Sequence, residues 1–164
     1  MKDIARQIRL IVETAEPQLA RMNPDEVGFK PAPHNWSKKE ILGHLIDSAA
    51  NNHHRFVRTV NEAAVRFPAY DQDGWVRIQR YNETPWSPLV VFWSAYNIHL
   101  SRVVEFIPED AESFPCNIGQ EEPVPLGFVV KDYLRHLHHH LKDILGKHAV
   151  EEDTNRQRQT GPGR

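Results

Sequence analysis

Ile4, Ile8, Ile11, Val12, Ala15 and Leu19 recur at three- and four-residue steps, so the chain opens with an amphipathic helix over about 3–22. Pro17 can kink that helix or end it early, and Asn23-Pro24 stops it at the latest. Residues 23–36 (NPDEVGFKPAPHNW) hold three prolines and read as a linking loop. The next segment has the clearest start in the chain. Ser37 followed by Glu40 is a capping box, with Trp36 before it available as a hydrophobic staple. Ile41, Leu45, Ser48, Asn52, Phe56 and Val60 then carry a helical pattern to about residue 64, with Gly43 the one breaker inside it.

Residues 66–83 lack a sustained period and predict a long ordered crossover with one short helix over about 75–80. Thr84-Pro85 or Ser87-Pro88 starts a third long helix, because proline fits the first turn behind a hydroxyl cap. Leu89, Phe92, Trp93, Tyr96, Leu100, Val103, Val104 and Ile107 give it a broad apolar stripe, and Pro108 ends it. After a loop over 109–125 with Pro115, Cys116, Pro123 and Pro125, a last helix covers about 126–147, with Gly146 near its end and Lys147 and His148 beside its negative pole. No alternation of period two persists, so the predicted fold class is all-α, a four-helix bundle. The long connections 23–36 and 65–83 argue against a simple up-down-up-down arrangement with short loops. Residues 1–150 are expected to form one domain. Residues 151–164, which hold only polar residues, Gly and Pro, read as a flexible tail.

Composition narrows the function. A chain of 164 residues can bury a core without disulfides or structural metals, and 40% hydrophobic with 26% charged residues is a globular balance. A formal net charge of −2 supplies no basic footprint for phosphates, which makes nucleic acid a poor partner. One cysteine, Cys116, excludes an internal disulfide. The amphipathic start is unlike a signal peptide, and no apolar run approaches the roughly 20 residues of a membrane span. The expected location is therefore the cytoplasm.

The chain is unusual in its ten histidines. In DYLRHLHHHLKDI the apolar stripe of the last helix is Tyr133, Leu137, Leu141 and Ile144, and His136 and His140 lie on one edge of it, one turn apart. An i, i+4 pair on one face is the spacing at which two imidazoles grip one ion, although the glutamate of the zincin motif is missing. With four histidines in five residues, such a pair also arises without any ligand role. The second long helix carries a polar row of His44, Asp47, Asn51 and Arg55 beside its apolar stripe. This row is either a solvated face or one that needs partners, since burying an unpaired polar group costs about 1–3 kcal/mol. A metal shared by His44, His136 and His140 would satisfy three of these groups together.

Three segments carry a family resemblance: NWSKKEILGHLIDSAANNHHRF (35–56), YDQDGWVRIQRYNETPW (70–86) and LGFVVKDYLRHLHHHLKDI (126–144). Together they resemble the DinB/YfiT-like superfamily of metal-binding four-helix bundles, which is unrelated to the DNA polymerase sharing the DinB name. The most specific parts are the W-S-x-x-E-I-x-x-H-L-x-D block and the H-x-x-x-H of the last helix. The resemblance implies nickel or zinc held by His44, His136 and His140, an up-down-down-up bundle, and commonly a homodimer. It also implies a metal-dependent enzyme that either transfers a low-molecular-weight thiol such as mycothiol or bacillithiol to a small electrophile, or hydrolyses a small molecule. A non-catalytic bundle that binds metal or another ligand is the rival reading.

Three imidazoles leave coordination positions open, which suits a reactive ion rather than a structural one. Around them, Asp47 can orient an imidazole or pair with Arg55, and Arg55 can hold a substrate carboxylate. Asn51 completes the polar row. Tyr133 fits core packing, Trp75 and Tyr81 fit either a pocket wall or loop anchoring, and Cys116 reads as inert. Asp132 and Asp143, one turn before and after the histidine pair, read as solvated. His53, His54 and His99 are expected at the surface or in local hydrogen bonds.

Overall fold

The computed structural model describes residues 1–146 of the chain. Four long helices form the bundle: α1 (Lys2–Ala20), α3 (Lys38–Glu62), α5 (Trp86–Glu105) and α6 (Leu126–Leu145). Two short helices, α2 (Pro24–Val27) and α4 (Gln72–Gln79), sit in the connections. The long helices close into a ring, because α1 and α3 each pack on both α5 and α6. Ile8, Val12 and Leu19 of α1, Leu42, Leu45 and Phe56 of α3, Trp93 and Leu100 of α5, and Leu137 and Leu141 of α6 meet in a fully buried core. The tail at 151–164, and Lys147 and His148, lie outside the described residues.

The capping box at the start of α3 is complete. The Ser37 amide donates to Glu40 Oε2 at 2.8 Å, and the Glu40 amide donates to Ser37 Oγ at 3.2 Å. Pro17 neither ends nor shortens α1, which runs on to Ala20. Neither Thr84 nor Ser87 caps α5. That helix starts at Trp86 behind Pro85 without a side-chain cap, and the Trp86 indole instead donates to the Leu19 carbonyl at 2.8 Å, fixing the start of α5 to the end of α1.

The connections hold more structure than their sequence announces. Asn23 caps α2 through the Asp25 amide, with Pro24 in the first turn. The short crossover helix, expected over 75–80, begins earlier because Asp71 accepts from the Gly74 amide as its cap. A small three-stranded sheet joins two loops that the all-helical expectation left irregular. β1 (Val65–Arg66) pairs in parallel with β2 (Pro115–Asn117), which pairs antiparallel with β3 (Val124–Pro125). Gly119, at φ +112°, follows β2, and a Cβ there would lie 2.8 Å from the Ala69 side chain. The sheet thus brings residues 67–70 against residues 117–119, beside the ends of α3 and α6. Among the described residues no helix is long and apolar enough to cross a membrane.

Candidate metal centre

His44 lies in the second turn of α3, and His136 and His140 lie in successive turns of α6, which packs against α3. The three bring one ring nitrogen each to within 4.8 Å of one another. His44 is fully buried, with the Trp36 ring 4.9 Å from its own, so the aromatic side chain before the helix roofs the imidazole. His44 Nε2 and His136 Nε2 stand 3.0 Å apart. Two imidazole lone pairs cannot face each other at that distance unless a proton or a cation lies between them. The donor set fits a divalent ion on this ground, and neutral imidazole nitrogens are the ligands such an ion takes.

Two of the three outer nitrogens are held too. His136 Nδ1 lies 3.4 Å from Ser48 Oγ, and His140 Nδ1 lies 3.2 Å from Asp143 Oδ2. A carboxylate or hydroxyl on the far nitrogen fixes the ring and its tautomer and turns the near nitrogen's lone pair inward. His44 Nδ1 is buried without a hydrogen-bond partner, as is Asp47 Oδ2 one turn further along. Burial and the neighbouring imidazoles hold His44 down at about 3, and burial followed by His140 holds His136 at about 4. Burial also lowers His140, against the Asp143 carboxylate, which raises it. All three are therefore neutral, ligand-ready bases at neutral pH. A second set, His139, His140 and Asp143, also converges, but two of its three members are exposed and it shares His140 with the first.

The polar row on α3 divides. Asp47 makes no ion pair with Arg55. Its Oδ1 accepts from the Tyr81 hydroxyl at 2.7 Å and from Gln79, so the carboxylate anchors the crossover to α3. Burial raises its pKa above the ordinary carboxylate value, and those two hydrogen bonds partly offset the rise. Gly43 makes this possible, because a Cβ there would fall 2.1 Å from the Tyr81 ring. Asn51 donates to the Asp47 carbonyl at 2.9 Å and stays on the half-buried edge. Arg55 is 9% exposed, and Nη1 donates to Asn52 Oδ1 at 3.3 Å. Among the described residues no carboxylate comes within 4.0 Å of it.

A cavity of about 260 Å³ opens beside the cluster, with His136, Ser48, Asn52, Arg55, Tyr70 and Asp132 on its walls. Ala69 and Ile118, brought together by the small sheet, form its rim. Tyr133 also lines it, while its hydroxyl is spent on Asn97 in the core. Trp75 walls an adjoining hollow together with Arg55 and Tyr70, whereas Tyr81 is an anchor. His54 and His99 are exposed and His53 bonds to Tyr96, as expected. Cys116 is fully buried, and burial pushes its thiol up, which leaves it unreactive.

Sequence reasoning missed Ser48, Asn52, Tyr70 and Asp143. Ser48 and Asn52 were visible as polar residues on the buried stripe, one and two turns after His44, but they passed as part of the core pattern. Asp143 reads as solvated from its place on the helix. It is exposed, yet its position one turn after His140 is the spacing at which a carboxylate reaches the outer imidazole nitrogen.

The family model described as the DinB superfamily matches residues 11–144 of the chain. YfiT from Bacillus subtilis, described as a probable metal-dependent hydrolase with an unusual four-helix bundle topology, superposes with a TM-score of 0.75 at 16% identity, over 95% of this chain and 87% of its own. The mycothiol-dependent maleylpyruvate isomerase superposes with a TM-score of 0.72 at 16% identity, over 94% of this chain and 65% of its own. At that identity the likeness is one of fold. No curated protein matches the sequence.

Proposed function

The chain belongs to the DinB superfamily, and from that premise we propose that it is a metal-dependent enzyme that transfers a low-molecular-weight thiol to a small electrophile. The observation that carries this reading is the convergence of three neutral imidazoles, two of them held from outside by Ser48 and Asp143, beside a cavity that His136 lines. His44, His136 and His140 would hold the ion, zinc or nickel. When bound, it supplies the Lewis acidity that makes a thiol or a water molecule nucleophilic at neutral pH.

The chain's own groups do the rest. Ser48 and Asp143 fix the rings that hold the ion. Asp47 keeps the crossover and its Tyr81 in place over α3, while Asn51 bonds back to the Asp47 carbonyl within the helix. Arg55 and Tyr70 line the cavity where the electrophile would sit. The single buried cysteine and the absence of an apolar span in the described residues suit the cytoplasm.

Hydrolysis is the second reading, and Asp132 favours it. This carboxylate stands on the same cavity wall as His136, where it can accept a proton from an attacking water. Metal-loaded protein assayed with mycothiol, bacillithiol, cysteine and glutathione against small electrophiles tests both readings. Thiol-dependent turnover that is lost in His44→Ala supports transfer, and thiol-independent turnover supports hydrolysis. Turnover no greater than that of His44→Ala under any condition sinks the enzymatic reading.

A further inference from the structure

Arg55 is the buried charge that the metal centre does not use. A guanidinium carries five N–H donors, and here one makes a single long bond to Asn52 while the rest meet no carboxylate among the described residues. Arginine stays charged in a protein interior, and this nine-tenths buried side chain has, among the described residues, no carboxylate in contact and only the Asp132 charge across the cavity, so its charge is poorly compensated unless something arrives to pair with it. The side chain faces the cavity that His136 also lines. A polar chain connects the two along α3: Arg55 donates to Asn52, Asn52 donates to Ser48 Oγ at 3.4 Å, and Ser48 lies 3.4 Å from His136 Nδ1. Tyr70 sits on the same wall with its hydroxyl unpartnered among the described residues, and burial followed by the Asp47 charge pushes it up to about 12. It therefore stays a neutral O–H donor.

We propose that Arg55 and Tyr70 form an anion subsite that anchors the substrate by a carboxylate, with the body of the molecule reaching along the cavity to His136. This deepens the enzymatic reading above and rests on it for the word substrate. A carboxylate is favoured over a phosphate on three grounds. One planar guanidinium matches one planar, singly charged group through two parallel hydrogen bonds. Among the described residues Arg55 is the one Lys or Arg on this wall, and Arg58 in the adjoining hollow is already paired with Glu62, so a second negative charge would go uncompensated. Asp132 borders the same cavity and repels added charge, although its ion pair with Arg135 tempers the effect. The adjoining hollow, which shares Arg55 and Tyr70, offers Phe67, Pro68 and Trp75 to an apolar or aromatic substituent. The ligand class is a small monocarboxylate.

Calorimetric titration of the full chain with benzoate, benzamide and inorganic phosphate tests the subsite, on chelator-treated protein so that no carboxylate can bind an ion instead. Benzoate is expected to bind at least tenfold more tightly than benzamide or phosphate. Arg55→Gln should lose benzoate tenfold or more while keeping the metal content of the native chain. Arg55→Lys should lose less because it keeps the charge without the fork, and Tyr70→Phe should lose a few-fold. Equal binding of benzoate and benzamide, preference for phosphate, or undiminished benzoate binding by folded Arg55→Gln would overturn the proposal. If Arg55→Gln does not fold, unchanged affinity in both Arg55→Lys and Tyr70→Phe overturns it. The two readings fail separately. Metal uptake without benzoate discrimination removes the subsite alone, and discrimination without metal uptake leaves the subsite standing while removing the metal-dependent reaction.

Discussion

Helix α3 carries two histidine groups that share a residue type and little else. Towards α6, His44 is fully buried and meets two further imidazoles whose outer nitrogens are tied to Ser48 and Asp143. Towards α5, His53 is half-buried, bonds Tyr96 at 3.3 Å, and has the exposed His99 ring 5.2 Å away. Among the described residues, the second group brings no third ligand into range. The contrast lies in what the opposing helix supplies. α6 presents two imidazoles one turn apart on the edge of its buried stripe, whereas α5 presents a phenol and one imidazole on a wetter face. Burial lowers the pKa on both sides, so what marks the first group as a candidate ligand set is the second element that aims two further rings at the same point.

The sharpest way to break this comparison is to remove one ligand from each group. His44→Ala should take the bound divalent metal from about one equivalent per chain to none, because His136 and His140 then lose their buried partner and the other set on α6, His139, His140 and Asp143, has two of its three members exposed. His53→Ala should leave the stoichiometry unchanged. Elemental analysis of untagged protein after dialysis reads both. Metal retained by His44→Ala would place the ion elsewhere and dissolve the distinction between the groups.

The orienting contacts come next in size. Asp143→Ala leaves all three imidazoles in place but frees the His140 ring, and the loss of such a partner weakens metal binding about ten- to a hundredfold. Competition with a chelating dye measures it. An unchanged affinity would mean that the His140 ring is held by packing alone. Gly43→Ala acts on the support rather than the ligands, since its Cβ would fall 2.1 Å from the Tyr81 ring and force it off Asp47. Overpacking of this kind costs about 1–3 kcal/mol, read as a lower midpoint in urea unfolding.

Acid should separate the groups more gently. In metal-free protein the folded-state values for His44 and His136, about 3 and about 4, lie below their ordinary 6.5, so the unfolded chain takes up protons first. Stability is then complete above about pH 6.5 and falls as pH drops towards the folded values. Melting temperatures of chelator-treated protein between pH 7.5 and 4.5 should show this slope, and His136→Ala should flatten it. A His136→Ala slope as steep as the native one would assign the acid sensitivity to other groups.

Much of this architecture is legible in the sequence, and the gaps have physical reasons. Period 3.6 is strong in α1, α3, α5 and α6 because each buries an apolar stripe along its length, although α3 is buried on every side from Leu42 to Ala49, and the Ser37–Glu40 box stands directly before the α3 pattern and so marks its start. The sheet left no trace because strands of two or three residues are too short to show an alternation, and their pairing is set by loops that meet only in the folded chain. His44, His136 and His140 could be selected because ligand spacing on a helix is local and the resemblance joined the two helices. Arg55 stood in the polar row, but its lack of a counter-ion is a property of what surrounds it. Ser48 and Asn52 were hidden by the assumption that the buried side of a helix is core, when at the cavity that side faces the site.

The smallest predicted effect is the one that isolates the comparison most cleanly. His99 is exposed and touches His53 only ring to ring, so His99→Ala should shift stability by less than about 0.5 kcal/mol. His53→Ala removes a half-buried bond to the Tyr96 hydroxyl and should cost somewhat more, about 0.5–1.5 kcal/mol. Neither should change metal affinity, because both rings meet at the α3–α5 contact while the candidate ligands meet between α3 and α6. Paired melting and metal-titration curves for the two variants test both halves. A variant that keeps its melting temperature but loses metal would mean that the α5 face feeds the centre through α3, and the two groups would have to be treated as one site.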